Sequence, residues 1–248
     1  MSLDDTAREV FSRQIIMKEI GEAGQRKLLG SSVLVVGCGG LGASALYYLA
    51  AMGIGRLGLC DGDVVSLSNL NRQILYAMDD IGKPKAHMAE KRLQALSPAL
   101  KTTVYDRFMD EKLAAGIVPG YDISLDCLDN FDARFILNDA CVAAGKPFVH
   151  AGVGEFYGQL MTVTPGTGPC LRCLFPNKLQ KKEANKIFGV IGPTPGILGA
   201  LQALEAFKYL LGLPVCNDGM AIYDGLRMSM EKVALEASPT CKCSKTRD

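Results

Sequence analysis

Residues 31–63 read SSVLVVGCGGLGASALYYLAAMGIGRLGLCDGD, and the order of their parts decides the fold. The valine-rich run from Val33 to Val36 predicts a buried strand. It meets a glycine turn, Gly37-Cys38-Gly39-Gly40-Leu41-Gly42, and then an apolar stretch with helical spacing. A second short strand follows and ends in Asp61. Strand, G-x-G-x-x-G, helix, strand and acid form a nucleotide-binding βαβ unit. Gly37 permits the tight turn, Gly39 lets backbone approach a phosphate, and Gly42 lets the helix pack close to the sheet. The new helix begins with unpaired N–H groups aimed at an anion. Asp61 is placed to accept hydrogen bonds from ribose hydroxyls. Leu28 to Gly55 carries no charge, but its central glycines divide it into pieces too short to span a bilayer.

The chain has 248 residues and a formal net charge of +1. That length is ample for a buried core, and that charge gives no reason to expect a nucleic-acid or membrane partner. The N-terminus carries Asp4, Asp5, Arg8 and Glu9 in place of an apolar signal region, so a cytoplasmic protein is expected. Nine cysteines in such a chain argue for metal or thiol chemistry more than for disulfides.

Outward from the βαβ unit, residues 4–29 predict a helix with Ile15, Ile16, Ile20 and Leu28 as its apolar contacts. Residues 64–82 are polar and loop-like, and Lys83-Pro84 opens a helix to about Leu96. A strand near Lys101–Tyr105, a helix near Glu111, a strand at Asp122–Cys127, a helix at Asp132–Ala144 and a strand at Pro147–Gly152 complete a doubly wound pattern over 31–153. The tail predicts strands at Gly158–Thr164, Met220–Tyr223 and Met228–Ala234 and an apolar helix at Ile197–Leu211. The fold class is therefore α/β, a Rossmann-like, mostly parallel sheet flanked by helices and extended by antiparallel C-terminal strands. No linker interrupts it, so one domain over 1–248 is expected, with N-terminal helices in 1–30, the nucleotide-binding core in 31–153 and a sheet extension in 154–248.

Further stretches combine with the glycine loop: Arg13-Gln14-Ile15, Asn69-Leu70-Asn71-Arg72-Gln73, Lys83-Pro84-Lys85 and Asp126-Cys127-Leu128-Asp129-Asn130. The last lies at the carboxyl end of a parallel strand, the edge where ligands of open α/β sheets bind, so Asp129 should share a crevice with Gly39 and Asp61. Together with EIGEAGQRKL (19–28), DGDVVSLSNLNRQ (61–73), IGKPKA (81–86), GQ (158–159), CLRCLFP (170–176) and GVIGPTPGILGALQALEAFKYLLG (189–212), in this order, they carry a specific resemblance. The chain resembles the ThiF/MoeB/HesA group of ubiquitin-activating-enzyme-like adenylyltransferases over nearly its whole length.

That resemblance implies ATP- and Mg²⁺-dependent adenylation of a carboxylate, usually the C-terminal Gly-Gly end of a ubiquitin-like sulfur-carrier protein of the ThiS or MoaD type, in thiamine, molybdopterin or another sulfur-transfer pathway. It implies that Asp129 holds Mg²⁺ and that Lys85 and Arg72 bind phosphates. It places the nucleotide against Gly37, Gly39, Gly40, Gly42, Asp61, Asp63, Asn69, Gln73, Leu128 and Asn130. Arg13 matches a family arginine that reaches into the partner subunit's ATP site, which implies a homodimer. A C-terminal carboxylate has a pKa of about 3.3–3.7 and needs no general base. The obstacle is an anion attacking an anionic triphosphate, so the site must supply positive charge and alignment. No Walker-type loop is present, and His87 and His150 fall in no ligand spacing and are read as structural.

Cys170-x-x-Cys173 and Cys241-x-Cys243 bracket the tail, and four thiolates fit a closed structural Zn²⁺ site. The second pair is one residue shorter than the family's usual C-x-x-C. The crossover segment NKLQKKEANKIFGVIG (177–192) contains no cysteine, where many relatives carry one. A thioester or persulfide step there is excluded, and the product is expected to stop at the acyl-adenylate. Cys38, Cys60, Cys127 and Cys141 fall in core elements. Three other readings stay open at this point. One is adenylation of a small-molecule carboxylate, and one is a non-catalytic binding module. The third is an NAD-dependent oxidoreductase, which the glycine loop and Asp61 fit equally well.

Overall fold

The computed structural model describes residues 3–175 and 189–244. Strand β1 (Ser32–Val36) is buried along its whole length, as a valine-rich strand covered on both faces must be. It is joined through helix α4 (Gly40–Ala51) to β2 (Arg56–Cys60), and helix α5 (Lys85–Leu96) leads to β3 (Lys101–Tyr105). Helix α6 (Glu111–Ile117) precedes β4 (Ile123–Asp126), and α7 (Phe131–Ala144) precedes β5 (Phe148–Gly154). Strands β6 (Tyr157–Val163), β7 (Gly219–Asp224) and β8 (Ser229–Ala234) then follow, with the short α8 (Leu171–Leu174) and the long α9 (Pro193–Leu211) between β6 and β7. The eight strands lie in one sheet in the order β3-β2-β1-β4-β5-β6-β7-β8. The first five are parallel and β5 to β8 pair antiparallel. The predicted sheet with its antiparallel extension is the observed one.

Side-chain alternation divides the core. Val33 and Val35 join a cluster beneath α4, α5 and α9, whereas Leu34 and Val36 join a second cluster beneath α6 and α7. The chain runs outward from β1 to β3 and then returns to β4 on the other side of β1. That reversal opens a crevice above the carboxyl ends of β1 and β4.

Two helix ends follow local rules. Asn130 caps α7 by accepting from the Ala133 N–H at 2.9 Å, and Gly145 closes it in the left-handed region at φ 65°. The N-terminal region differs from expectation. Residues 4–29 form three short helices, α1 (Asp5–Val10), α2 (Ser12–Ile15) and α3 (Gly21–Leu29). Buried Phe11 turns the chain after α1, and Gly21 at φ 58° lies outside the right-handed helical region. Of the four apolar residues assigned to contacts, Leu28 is fully buried and Ile16 is 74% exposed. Among the described residues no helix is long and apolar enough to cross a membrane.

The glycine turn is enforced by its neighbours. Gly37 sits at φ 96°, and a Cβ there would overlap the Cys127 carbonyl oxygen on the adjacent strand end. A Cβ on Gly42 would overlap the Gly37 oxygen, so the first turn of α4 rests directly on the loop. Gly37→Ala is expected to lower stability by about 2–4 kcal/mol, from backbone strain plus overpacking. Urea unfolding measures it, and a change within about 0.5 kcal/mol, the range of an ordinary surface substitution, would contradict the argument.

Candidate active site

A cavity of about 1100 Å³ opens above the crevice. One wall contains Gly37, Gly39 and Gly40 of the loop, Asp61 and Asp63 beyond β2, and Arg72, Gln73 and Lys85. Leu128, Asp129 and Asn130 line the wall beyond β4. These expected site residues, separated by up to 93 positions (from Gly37 to Asn130), therefore share one space.

Asp61 is held by the loop it faces. Its Oδ2 accepts from the Cys38 N–H at 2.7 Å and its Oδ1 from the Asp63 N–H at 2.8 Å. Burial raises its pKa, and these two backbone donors offset part of that rise. Lys85 lies in the first turn of α5, where a lysine is ordinarily solvated, yet it is only 5% exposed. Its Nζ donates to Asp63 Oδ2 at 2.7 Å. Burial opposes the Asp63 charge, but the ammonium outweighs it and holds that carboxyl below its usual range. The ammonium is thus already desolvated and aimed along the cavity wall, which strengthens its pull on any added anion.

Arg72 is anchored from behind, with Nη1 donating to the Ser68 carbonyl at 2.9 Å and Asn71 Oδ1 at 3.0 Å. Gln73 is 5% exposed, and its Oε1 is buried without a hydrogen-bond partner among the described residues. Asp129 is exposed to the cavity, and its side chain touches the Asn130 amide at 3.3 Å.

Several residues lie elsewhere. Asn69 does not line the cavity; its Oδ1 accepts from the Ser66 N–H and closes a capping box on a single helical turn. Gly42 faces the loop backbone. Arg13, on α2, is exposed, lies outside the cavity and makes no hydrogen bond or ion pair with a described residue. Most of the crossover segment, residues 177–188, lies outside the described residues.

Four cysteines converge at a separate place. The sulfurs of Cys170, Cys173, Cys241 and Cys243 all lie within 4.8 Å of one another. Two of the pairs stand at 3.5 and 3.4 Å. Tetrahedral Zn²⁺ with Zn–S bonds of about 2.3 Å separates its ligands by about 3.8 Å, so the set fits the ion despite the short C-x-C spacing. The other core thiols are held in their protonated form by burial. Burial raises Cys38 and Cys127 and pushes Cys60 up to about 12.

The structure adds polar residues that the sequence reading did not assign. Asp126, at the end of β4, is fully buried, and its Oδ2 stands 2.6 Å from Nδ1 of fully buried His150 on β5. His150 Nε2 in turn stands 3.2 Å from the Gln159 amide on β6, and Gln159 lines the cavity. Arg134, 7% exposed, donates to the carbonyls of Leu128 and Ala151 and lines the same space. Gln202 of α9 clamps β4 to β5 by donating to the Asp126 and Val149 carbonyls at 2.8 and 3.0 Å. The available signal was an acid closing one apolar strand and a histidine inside the next, two polar groups whose burial is tolerable only with a partner.

A model of the ThiF family matches residues 11–245. The SAMP-activating enzyme E1 of Haloferax volcanii is 42% identical over 244 residues, covering 97% of this chain and 90% of that protein. The sulfur carrier protein adenylyltransferase of Thermus thermophilus is 40% identical over 240 residues, covering 93% and 88%. Among solved structures, E. coli MccB with MccA-N7isoASN superposes with a TM-score of 0.86 at 23% identity, over 95% of this chain and 75% of that one, a likeness of fold.

Proposed function

The chain belongs to the ThiF family, and from that premise we propose that it adenylates the C-terminal glycine carboxylate of a ubiquitin-like sulfur-carrier protein, using ATP and releasing pyrophosphate. The observation that carries this reading is the continuity of the cavity. One end gathers the glycine loop, Asp61, Arg72 and Lys85. The other runs past Asp129 over Gly152, Gly154 and Gly158 of β5 and β6, beside the side chains of Arg134, Tyr157 and Gln159, a lining whose glycines leave room for an extended glycine tail.

In this reading the carboxylate oxygen attacks the α-phosphorus and the pyrophosphate oxygen leaves, so an acyl-adenylate forms. The terminal carboxylate is already ionised. The residues therefore act by holding charge and alignment. The loop N–H groups and α4 receive phosphate, Asp61 receives the ribose, and Lys85 and Arg72 stabilise the charge that builds on the departing pyrophosphate. Asp129 would hold Mg²⁺, which when bound neutralises phosphate charge. Cys170, Cys173, Cys241 and Cys243 would hold Zn²⁺ as a structural ion. The raised thiol pKa values of Cys38, Cys60 and Cys127 and the cysteine-free crossover segment support a product that stops at the acyl-adenylate, with sulfur supplied by another protein.

A homodimer belongs to the same proposal. Arg13 stands outside its own cavity among exposed Val10, Ile16 and Met17, a setting suited to reaching a second copy. The test is ATP–pyrophosphate exchange with and without a carrier ending in Gly-Gly. Exchange that requires the carrier is expected. Arg13→Ala and Asp129→Ala proteins, each inactive alone, should recover roughly a quarter of wild-type exchange when dissociated and remixed, because half the dimers then carry one intact site. Exchange driven only by a small carboxylic acid would replace the carrier, and ATP-independent tight NADH binding would restore the oxidoreductase reading.

A further inference from the structure

The far end of the cavity holds one polar device that nucleotide binding does not use. Gln159 on β6 lies opposite Gly152 on β5, and His150 lies two residues along the same face. A Cβ on Gly152 would come within 3.1 Å of Gln159 Nε2 and 3.2 Å of Arg134 Nη1, so the bare glycine makes the room in which those two side chains meet.

The orientation of the Gln159 amide follows from the two residues behind it. The Asp126 carboxylate only accepts, so the proton between it and His150 sits on Nδ1. Burial keeps the His150 pKa low even beside that carboxylate, and the ring stays neutral. A neutral ring protonated on Nδ1 offers Nε2 purely as an acceptor. The Gln159 –NH₂ therefore turns inward to donate at 3.2 Å, and its Oε1 is the outward end. No described residue donates to that oxygen.

Resting on the carrier reading above, we propose that Gln159 reads the carrier tail, its Oε1 accepting a peptide N–H of the last two residues, with Asp126 and His150 as the positioning residues that fix which end of the amide faces the cavity. The Gln159 oxygen itself welcomes an N–H and repels a carboxylate, and the Arg134 guanidinium beside it is turned through Nη2 to the Leu128 and Ala151 carbonyls. The tail is thereby set with its N–H at Gln159 and its terminal carboxylate beyond, toward Lys85 and Arg72. With the amide reversed, –NH₂ would capture the carboxylate short of the phosphate.

The test uses full-length enzyme and semisynthetic ThiS-type carriers in which an ester replaces either of the last two peptide bonds, removing one N–H at a time. For wild type, one of the two esters is expected to lower kcat/KM for exchange about tenfold, mainly through KM, equivalent to about 1.4 kcal/mol. Gln159→Met should lower kcat/KM for the amide carrier and bring the amide-to-ester ratio within about twofold of unity. Gln159→Glu keeps an oxygen facing the cavity and should retain the tenfold ratio while working more slowly. The same ratio in wild type and Gln159→Met, no ester penalty in wild type, or loss of the ratio in Gln159→Glu would each overturn the assignment. Failure of wild type to exchange with the all-amide carrier would instead remove the carrier reading itself.

Discussion

Asp129→Ala is expected to lower carrier-dependent pyrophosphate exchange by about 1000-fold, equivalent to about 4 kcal/mol of transition-state stabilisation. The melting temperature should move by no more than about 2 °C, the scale of a surface substitution in a chain of this size. The separation between the two effects is the informative part. Asp129 is exposed, stands before α7 rather than in it, and among the described residues its side chain accepts a hydrogen bond only from the Asn130 amide. Asn130 alone caps the helix, so removing the Asp129 carboxylate leaves that cap intact. The lost carboxylate belongs to the cavity wall, where the proposed function has it hold the ion that balances the triphosphate charge. Lys85→Ala offers the contrast. It would remove a buried ammonium paired with Asp63 and so affect folding as well as activity. Full exchange by a well-folded Asp129→Ala protein would show that the phosphate charge is balanced elsewhere.

Removing zinc, or replacing Cys170 by serine, is expected to lower the melting temperature by about 10 °C or more, since a structural zinc site contributes several kcal/mol and each kcal/mol shifts a domain of this size by about 2–4 °C. The loss should be local in origin. Cys170 and Cys243 are buried in the same apolar cluster as Phe148, Met161, Val163 and Met220. Beyond β8, a single short turn at Lys242–Ser244 is the only regular element among the described residues. The cysteine set thus ties this tail to the sheet together with two backbone hydrogen bonds, Leu235 N–H to the Asp218 carbonyl and Gly166 N–H to the Cys243 carbonyl. Limited proteolysis of the metal-free protein should cut first between 235 and 244, while ATP binding by the β1–α4 loop persists. Metal analysis should give one zinc per chain. A metal-free protein with unchanged melting and no new cleavage would show that apolar packing alone holds the tail.

What the sequence determined by itself was everything carried by local pattern. Val33–Val36 followed by spaced glycines and Asp61 admits one local structure, because the positive φ of Gly37 and the bare contact at Gly42 are properties of the turn itself. Alternation, caps and helix stops placed the strands and most helices. The same locality explains the miss at residues 4–29. A helical apolar pattern was present, but the burial of Phe11 that breaks it is tertiary, and Gly21 breaks it again with a left-handed φ that apolar spacing does not register. The ordered motifs also named the part of the cavity wall at the glycine loop, Asp61, Asp63, Arg72, Gln73, Lys85 and Leu128–Asn130, but not its far end at Arg134 and Gly152, and the paired cysteines were legible as a group before their convergence was visible.

Only the tertiary structure decided the chemistry of residues whose meaning depends on a neighbouring strand. Lys85 carries a phosphate-binding role only through the resemblance, and its burial and its pairing with Asp63 appear only in the folded chain. Asn69 reads as a ligand until its side chain is seen closing its own turn. Asp126 and His150 are 24 positions apart, and they become one unit because β4 and β5 pair in a register that sets them side by side. A buried charge is tolerable only with its partner, and strand register, which no local window contains, chooses that partner.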